Sequence, residues 1–129
     1  MRAYLAVTTD QLSALLEKGS FLFHNAFILT TSFAQSHPEL DEEELEFELS
    51  WTAAQTSRNE CESSQSLGFA LAVDLVHSQM GDAVDEQVQL LSEITWLQVE
   101  SILVSDSDEP ELTWYASQEL AVYLPAWKA

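Results

Sequence analysis

Residues 67–76, Leu-Gly-Phe-Ala-Leu-Ala-Val-Asp-Leu-Val, hold one charged side chain, Asp74, in an otherwise apolar run. Polar stretches bound the run on both sides, CESSQS before it and HSQMGDAVDEQ after it, and β-branched Val73 and Val76 lie within it. A short apolar segment with such boundaries reads as a central β-strand, so the rest of the chain must supply the neighbours of a sheet. The opening residues, Met1 to Val7, alternate, with Ala3, Leu5 and Val7 on one face and Arg2, Tyr4 and Ala6 on the other. Further strands are expected over 26–30, after a turn at His24 and Asn25, at Val88 to Leu91, at Val99 with Ile102 to Val104, and near 112–116.

Helical signals interrupt these strands. Thr8 and Gln11 have the spacing of a capping box, Leu12, Leu15 and Leu16 form a helical stripe, and Gly19 supplies a stop, which predicts a helix over about 9–18. Ser32 to Gln35 suits a single helical turn. From Pro38 the chain runs to Glu60 without glycine or a second proline and reads as the longest helix, about 39–59, with Ser36 and Glu39 as its capping pair. Leu45, Leu49, Thr52 and Ala53 form its inward stripe, and Phe47, Trp51 and Ala54 widen it. Ser117 can cap a last helical segment that carries Leu120, Val122 and Leu124.

The order lacks the βαβ rhythm and the glycine-rich turns of a dinucleotide-binding sheet. It predicts an α+β fold, one domain over 1–129, with a mixed or mostly antiparallel sheet of about five strands, two main helices on one face and a short C-terminal helix. Apolar residues at 47% of the chain suffice for a core without a cofactor. One cysteine, Cys61, cannot close a disulfide within the chain, and there is no apolar run of membrane-spanning length, so a cytoplasmic home is expected.

Twenty-two Asp and Glu against four Lys and Arg give a net charge of −18. Roughly 2–8 charges suffice to keep a small domain in solution. A surplus of this sign repels phosphate backbones and anionic lipid, and it accelerates encounters with basic proteins in a salt-dependent way. The acids concentrate at the start of the long helix, as Asp41, Glu42, Glu43, Glu44, Glu46 and Glu48. Glu42 with Glu46, and Glu44 with Glu48, stand four apart and form short rows of negative charge with a spacing of about 6 Å. Such rows resemble successive phosphates. They also suit the positive end of the helix dipole, and each like-charged pair costs about 0.2–0.5 kcal/mol.

Signals for chemistry are sparse. His24, His37, His77 and Cys61 form no local ligand pair of the CxxC or HExxH kind, so no metal is expected. Asp106 and Asp108 begin like a calcium loop, but Pro110 takes the next ligand position and Glu111 the turning glycine's place. Cys61 lies between Glu60 and Glu62, whose charge disfavours a thiolate. No nucleophile elbow or phosphate-cradling loop is present. Two polar residues on apolar strands, Arg2 and Asp74, would pair if their strands were neighbours. Trp114, Tyr115, Gln118 and Glu119 complete the polar and aromatic set, as core-finishing residues or as a docking surface.

Three stretches, Met1-Arg2-Ala3-Tyr4-Leu5, Asp41-Glu42-Glu43-Glu44-Leu45-Glu46 and the ending from Leu112 to Leu120, resemble a small family of uncharacterised actinobacterial proteins. The ending, LTWYASQEL, carries most of the likeness. At SDSDEPE the chain departs from that family, whose members carry a longer helical insertion before the last strand. The resemblance implies kinship and a fold, and no activity, cofactor or site residue.

The leading expectation is a non-enzymatic interaction or accessory protein that meets a basic partner through Asp41, Glu42, Glu44, Glu46 and Glu48, with no direct nucleic-acid or membrane binding. One alternative is a mimic of nucleic acid that inhibits a DNA- or RNA-binding protein. Another is a small enzyme with a site between Arg2 and Asp74.

Overall fold

The computed structural model describes residues 1–60, 67–106 and 111–128. Its first strand, β1 (Arg2–Val7), leads directly into α1 (Thr9–Lys18). The capping box forms as its spacing predicts: the Gln11 N–H donates to Thr8 Oγ1 at 3.2 Å and the Thr8 N–H donates to Gln11 Oε1 at 2.9 Å. Gly19 closes the helix in the left-handed region at φ 77, with its N–H donating to the Leu15 carbonyl.

The chain then forms β2 (Ser20–Phe21), β3 (Asn25–Phe27), α2 (Thr31–Ser36), α3 (Glu42–Glu60), β4 (Gly68–Asp74), β5 (Met80–Val84), β6 (Gln87–Leu90), β7 (Ile94–Thr95), β8 (Val99–Ser105), β9 (Thr113–Ala116) and α4 (Leu120–Lys128). Seven strands build one sheet in the order β5-β6-β3-β1-β4-β8-β9, and β2 pairs with β7 in a small ribbon. Every pairing among the described residues is antiparallel. The fold is therefore α+β with an antiparallel sheet and β4 at its interior, as the apolar run requires.

The sheet has more strands than the sequence reading counts. β5 falls in the stretch read as an exposed connection, because it lies at the sheet edge and Asp82, Ala83 and Val84 are exposed. An edge strand of this kind shows no hydrophobic alternation. The strand expected over 26–30 is shorter, since Thr30 turns out of the sheet to cap α2 and accepts the Phe33 N–H. The break at 61–66, including Cys61, and 107–110 of the expected turn lie outside the described residues.

The two main helices lie on opposite faces of the sheet, which corrects the expectation of one helical face. Ala3, Leu5 and Val7 pack with Leu12 and Leu15 of α1 and with Leu120 and Leu124 of α4. Tyr4, Ala70 and Ala72 pack with Leu49, Ala53 and Ala54 of α3. The physical reason is that β1 and β4 are apolar on both sides, so each side must be covered.

α3 sits close to the sheet. A Cβ added at Gly68 would stand 2.1 Å from the Ala54 carbonyl oxygen, and the Ser57 hydroxyl donates to the Val7 carbonyl while accepting the Phe69 N–H. Ser50 and Ser57 are buried on the helix and Phe47 is exposed, so its inward stripe is more polar than the one read from leucine spacing.

Candidate functional site

The acidic helix and Arg2 meet at one end of the sheet. α3 starts at Glu42, three residues later than expected, because Asp41 rather than Ser36 caps it. The Glu44 N–H donates to Asp41 Oδ1 at 2.8 Å and the Asp41 N–H donates to Glu44 Oε1 at 3.4 Å. Ser36 instead donates to the Ser32 carbonyl within α2. With this start, Glu42 and Glu46 lean over the beginning of β1 and the end of β4. They enclose a cleft of about 620 Å³ with Arg2, Leu29, Asp74 and Glu100.

Arg2 and Asp74 are register partners on neighbouring strands, as pairing would require. The expected ion pair between them does not form. Instead Arg2 Nε and Nη2 donate to Glu100 Oε1 and Oε2 at 3.2 and 3.3 Å, a two-point contact, and the amino group of Met1 lies 2.9 Å from Asp74 Oδ1. Glu100 follows Val99 on β8, the strand on the other side of β4, and its side chain reaches across to the guanidinium. Its hydrogen bond raises the Arg2 pKa further above the ordinary range.

The Tyr4 hydroxyl donates to Glu46 Oε2 at 2.7 Å. Burial, reinforced by the Glu46 carboxylate, pushes that hydroxyl's pKa well above the usual tyrosine value. Tyr4 thus ties α3 to β1 beneath the cleft.

The remaining predicted residues lie elsewhere. Glu48 is exposed and lines a different hollow with Ser32, His37 and Asp85. The row begun by Glu42 and Glu46 ends there, because the next position, Ser50, is buried against the sheet. β9, which carries Trp114 and Tyr115, is separated from β1 by β4 and β8, so these residues do not join Arg2 and Asp74. Trp114 is 61% exposed on the edge strand. Tyr115 packs against Tyr123 and Trp127, at ring separations of 4.9 and 5.1 Å, and fastens α4. Glu119 accepts the Ala116 N–H and Gln118 accepts the Ser117 hydroxyl, so both serve the turn into α4.

Sequence reasoning missed Met1, Leu29 and Glu100 of the cleft wall, and Tyr4, which holds Glu46 from outside that wall. The one charged residue in the otherwise uncharged strand β8 was the available signal for Glu100; Tyr4 gave none beyond its place on the second face of β1. Among the described residues no three His, Cys, Asp or Glu converge to hold a metal ion. Among them, too, no helix is long and apolar enough to cross a membrane.

Fold and cleft together define an acidic α+β protein with an antiparallel sheet covered by helices on both faces. Residues 1–111 match a family of unknown function, DUF6912, and the chain belongs to that family. That span holds the first two of the three stretches quoted above and ends before the third, Leu112 to Leu120. Searches of curated proteins and of solved structures found no match.

Proposed function

We propose that this protein is a non-enzymatic interaction or accessory protein that receives a basic partner on the acidic side of α3. One observation carries the reading: Glu42, Glu46, Asp74 and Glu100 line a single cleft whose one guanidinium, Arg2, is already held at two points by Glu100. A net charge of −18 adds long-range attraction for a cationic partner and disfavours an anionic one.

The arrangement gives less support to catalysis, since Arg2 is engaged and the carboxylates beside it are solvated. It also gives less to mimicry of nucleic acid, because the Glu42 and Glu46 row stops after two charges where a phosphate track needs more.

Capture of partners from a lysate at low and at high salt, with the wild type and with the charge-reversed variant Glu42→Lys/Glu46→Lys, tests the reading. The expected result is a basic partner retained at low salt, released at high salt and lost in the variant. A partner indifferent to both salt and charge reversal would overturn it.

A further inference from the structure

The flank of α3 toward β8 carries an aromatic row. Gln55 Nε2 donates to Ser105 Oγ on β8 at 3.1 Å, so this flank looks toward β8 and the edge strand β9 beyond it. Residues four apart share one side of a helix, and Trp51 and Phe47 precede Gln55 at that spacing. The sequence reading turned both inward. In the structure Trp51 is half-buried and Phe47 exposed, and neither joins the core that Leu49 and Ala53 make with the sheet.

The sheet presents a matching row. Trp114 pairs with Leu103, which packs with Leu112 on the α3 side of the sheet, whereas Tyr115 packs on α4. Leu112, Trp114 and Ala116 therefore share the α3 face. Four residues of helix and two of strand both advance about 6–7 Å, so the rows keep step. With Gln55 at Ser105, Trp51 stands level with Leu103 and Trp114, and Phe47 with Ser101 and Ala116. The Tyr4 bond to Glu46 fixes the same direction, because Tyr4 pairs with Ala72 and Ala72 with Ser101. α3 itself lies over β1 and β4 and leaves Trp114 uncovered, 61% exposed. The result is a strip with Phe47 and Trp51 on its helix side and Trp114 at the sheet edge.

Carboxylates gather at one end of the strip. Glu43 stands one turn before Phe47 on the same flank, Glu46 adjoins Phe47, and Glu100, next to Ser101, also lines the Arg2 cleft. The strip thus continues the acidic cleft. Arg58, the basic residue of α3, stands at the other end beside Gly68.

We infer that this strip receives arginine side chains of the basic partner, stacked on Trp114, Phe47 and Trp51 with their N–H groups toward Glu43 and Glu46. A planar, weakly hydrated guanidinium stacks on an aromatic face while its edge meets a carboxylate; a compact, strongly hydrated ammonium gains less there. The net charge of −18 selects a cationic occupant and disfavours a second copy of this chain, which brings the same charge. The inference rests on the proposed function and deepens it, naming arginine rather than lysine as what the partner brings.

Gly-Arg, Gly-Lys and Ser-Leu repeat peptides serve as probes in chemical-shift titrations at low salt. The wild type should bind the Arg peptide about fivefold or more tighter than the Lys peptide. Shifts are expected at the indoles of Trp51 and Trp114 and not at Trp96 or Trp127, which pack on the other face. Phe47→Ser/Trp114→Ser removes two exposed rings and should bring the preference within about twofold, with the Lys peptide's affinity unchanged within about twofold. Melting curves check its folding, and Trp114→Ser alone replaces it if it does not fold, with the preference at least about halved. Equal binding of the Arg and Lys peptides, or a preference that survives loss of both rings, overturns the inference and leaves the basic-partner reading standing. Tighter binding of the Ser-Leu peptide, or a dimer in sedimentation that Trp114→Ser breaks, assigns the strip to an apolar partner or a second copy and overturns it as well. If no peptide binds, the inference falls and the salt-dependent capture experiment decides the proposed function independently.

Discussion

Arg2 and Asp74 stand directly opposite one another on β1 and β4, and each turns its charge to a different partner, Arg2 to Glu100 and Asp74 to the amino group of Met1. Both contacts are solvated. Exposed pairs of this kind contribute about 0–1 kcal/mol. A double-mutant cycle on Arg2→Ala and Glu100→Ala should show a small stabilising coupling that salt erodes, and a cycle on Arg2→Ala and Asp74→Ala should show essentially none. A larger coupling for the second pair would refute the assignment of partners.

Tyr4→Phe should lower stability by about 1–2 kcal/mol in denaturant unfolding, because it removes a hydrogen bond to a carboxylate while keeping the buried ring. Tyr4 also sets an alkaline signature. Its pKa in the native state is raised, whereas in the unfolded chain it is about 10. Above that pH the native state holds a proton that the unfolded state has lost, so the stabilisation is complete below about pH 10 and declines as pH rises further. Unfolding measured between neutral pH and the alkaline limit should show this decline, and it should be shallower in Tyr4→Phe.

Gly68→Ala should destabilise strongly, by about 2 kcal/mol or more, even though alanine inside a strand is ordinarily less costly than glycine. The new methyl would meet the Ala54 carbonyl oxygen at 2.1 Å and Arg58 Cγ at 2.4 Å, and the first of these is backbone that cannot swing aside. A thermal midpoint unchanged from wild type would show that α3 stands further from β4 than these contacts require.

Gln79 and Gln98 donate to one another, at 3.0 and 2.6 Å, and join the two 3-10 turns that follow β4 and β7. Gln79 also donates to the Glu93 carbonyl, and Gln98 to the Asp74 carbonyl. Gln79 is buried, so Gln79→Ala should cost about 1–3 kcal/mol by leaving polar groups unsatisfied. The double variant with Gln98→Ala should cost less than the sum of the two single changes, with a coupling of about 0.5 kcal/mol or more. Additive costs would mean that the amides act separately.

Salt should stabilise the protein at neutral pH. Glu44 and Glu46 have neutral donors as partners, the Asp41 N–H and the Tyr4 hydroxyl, which do not cancel their charge. Repulsion across a chain of net charge −18 therefore persists in the folded state and is screened by added ions. The thermal midpoint should rise with sodium chloride, and a fall would mean that ion pairs dominate the surface.

What the sequence determined by itself was local or periodic. Thr8, Gln11 and Gly19 mark the ends of α1 because a cap depends on residues three or four apart, and the apolar run through β4 marks an interior strand because burial on both sides leaves no room for alternation. The acidic character of α3 was equally plain, although its start at Glu42 and its cap at Asp41 were not. The tertiary structure alone decided which helix covers which face, that Glu100 rather than Asp74 holds Arg2, and that Glu46 and Glu48 border different depressions. Each of these depends on the order of strands across the sheet and on the rotation of α3 against it. Both follow from contacts between residues far apart in the chain, where the spacing of side chains along the sequence carries no information.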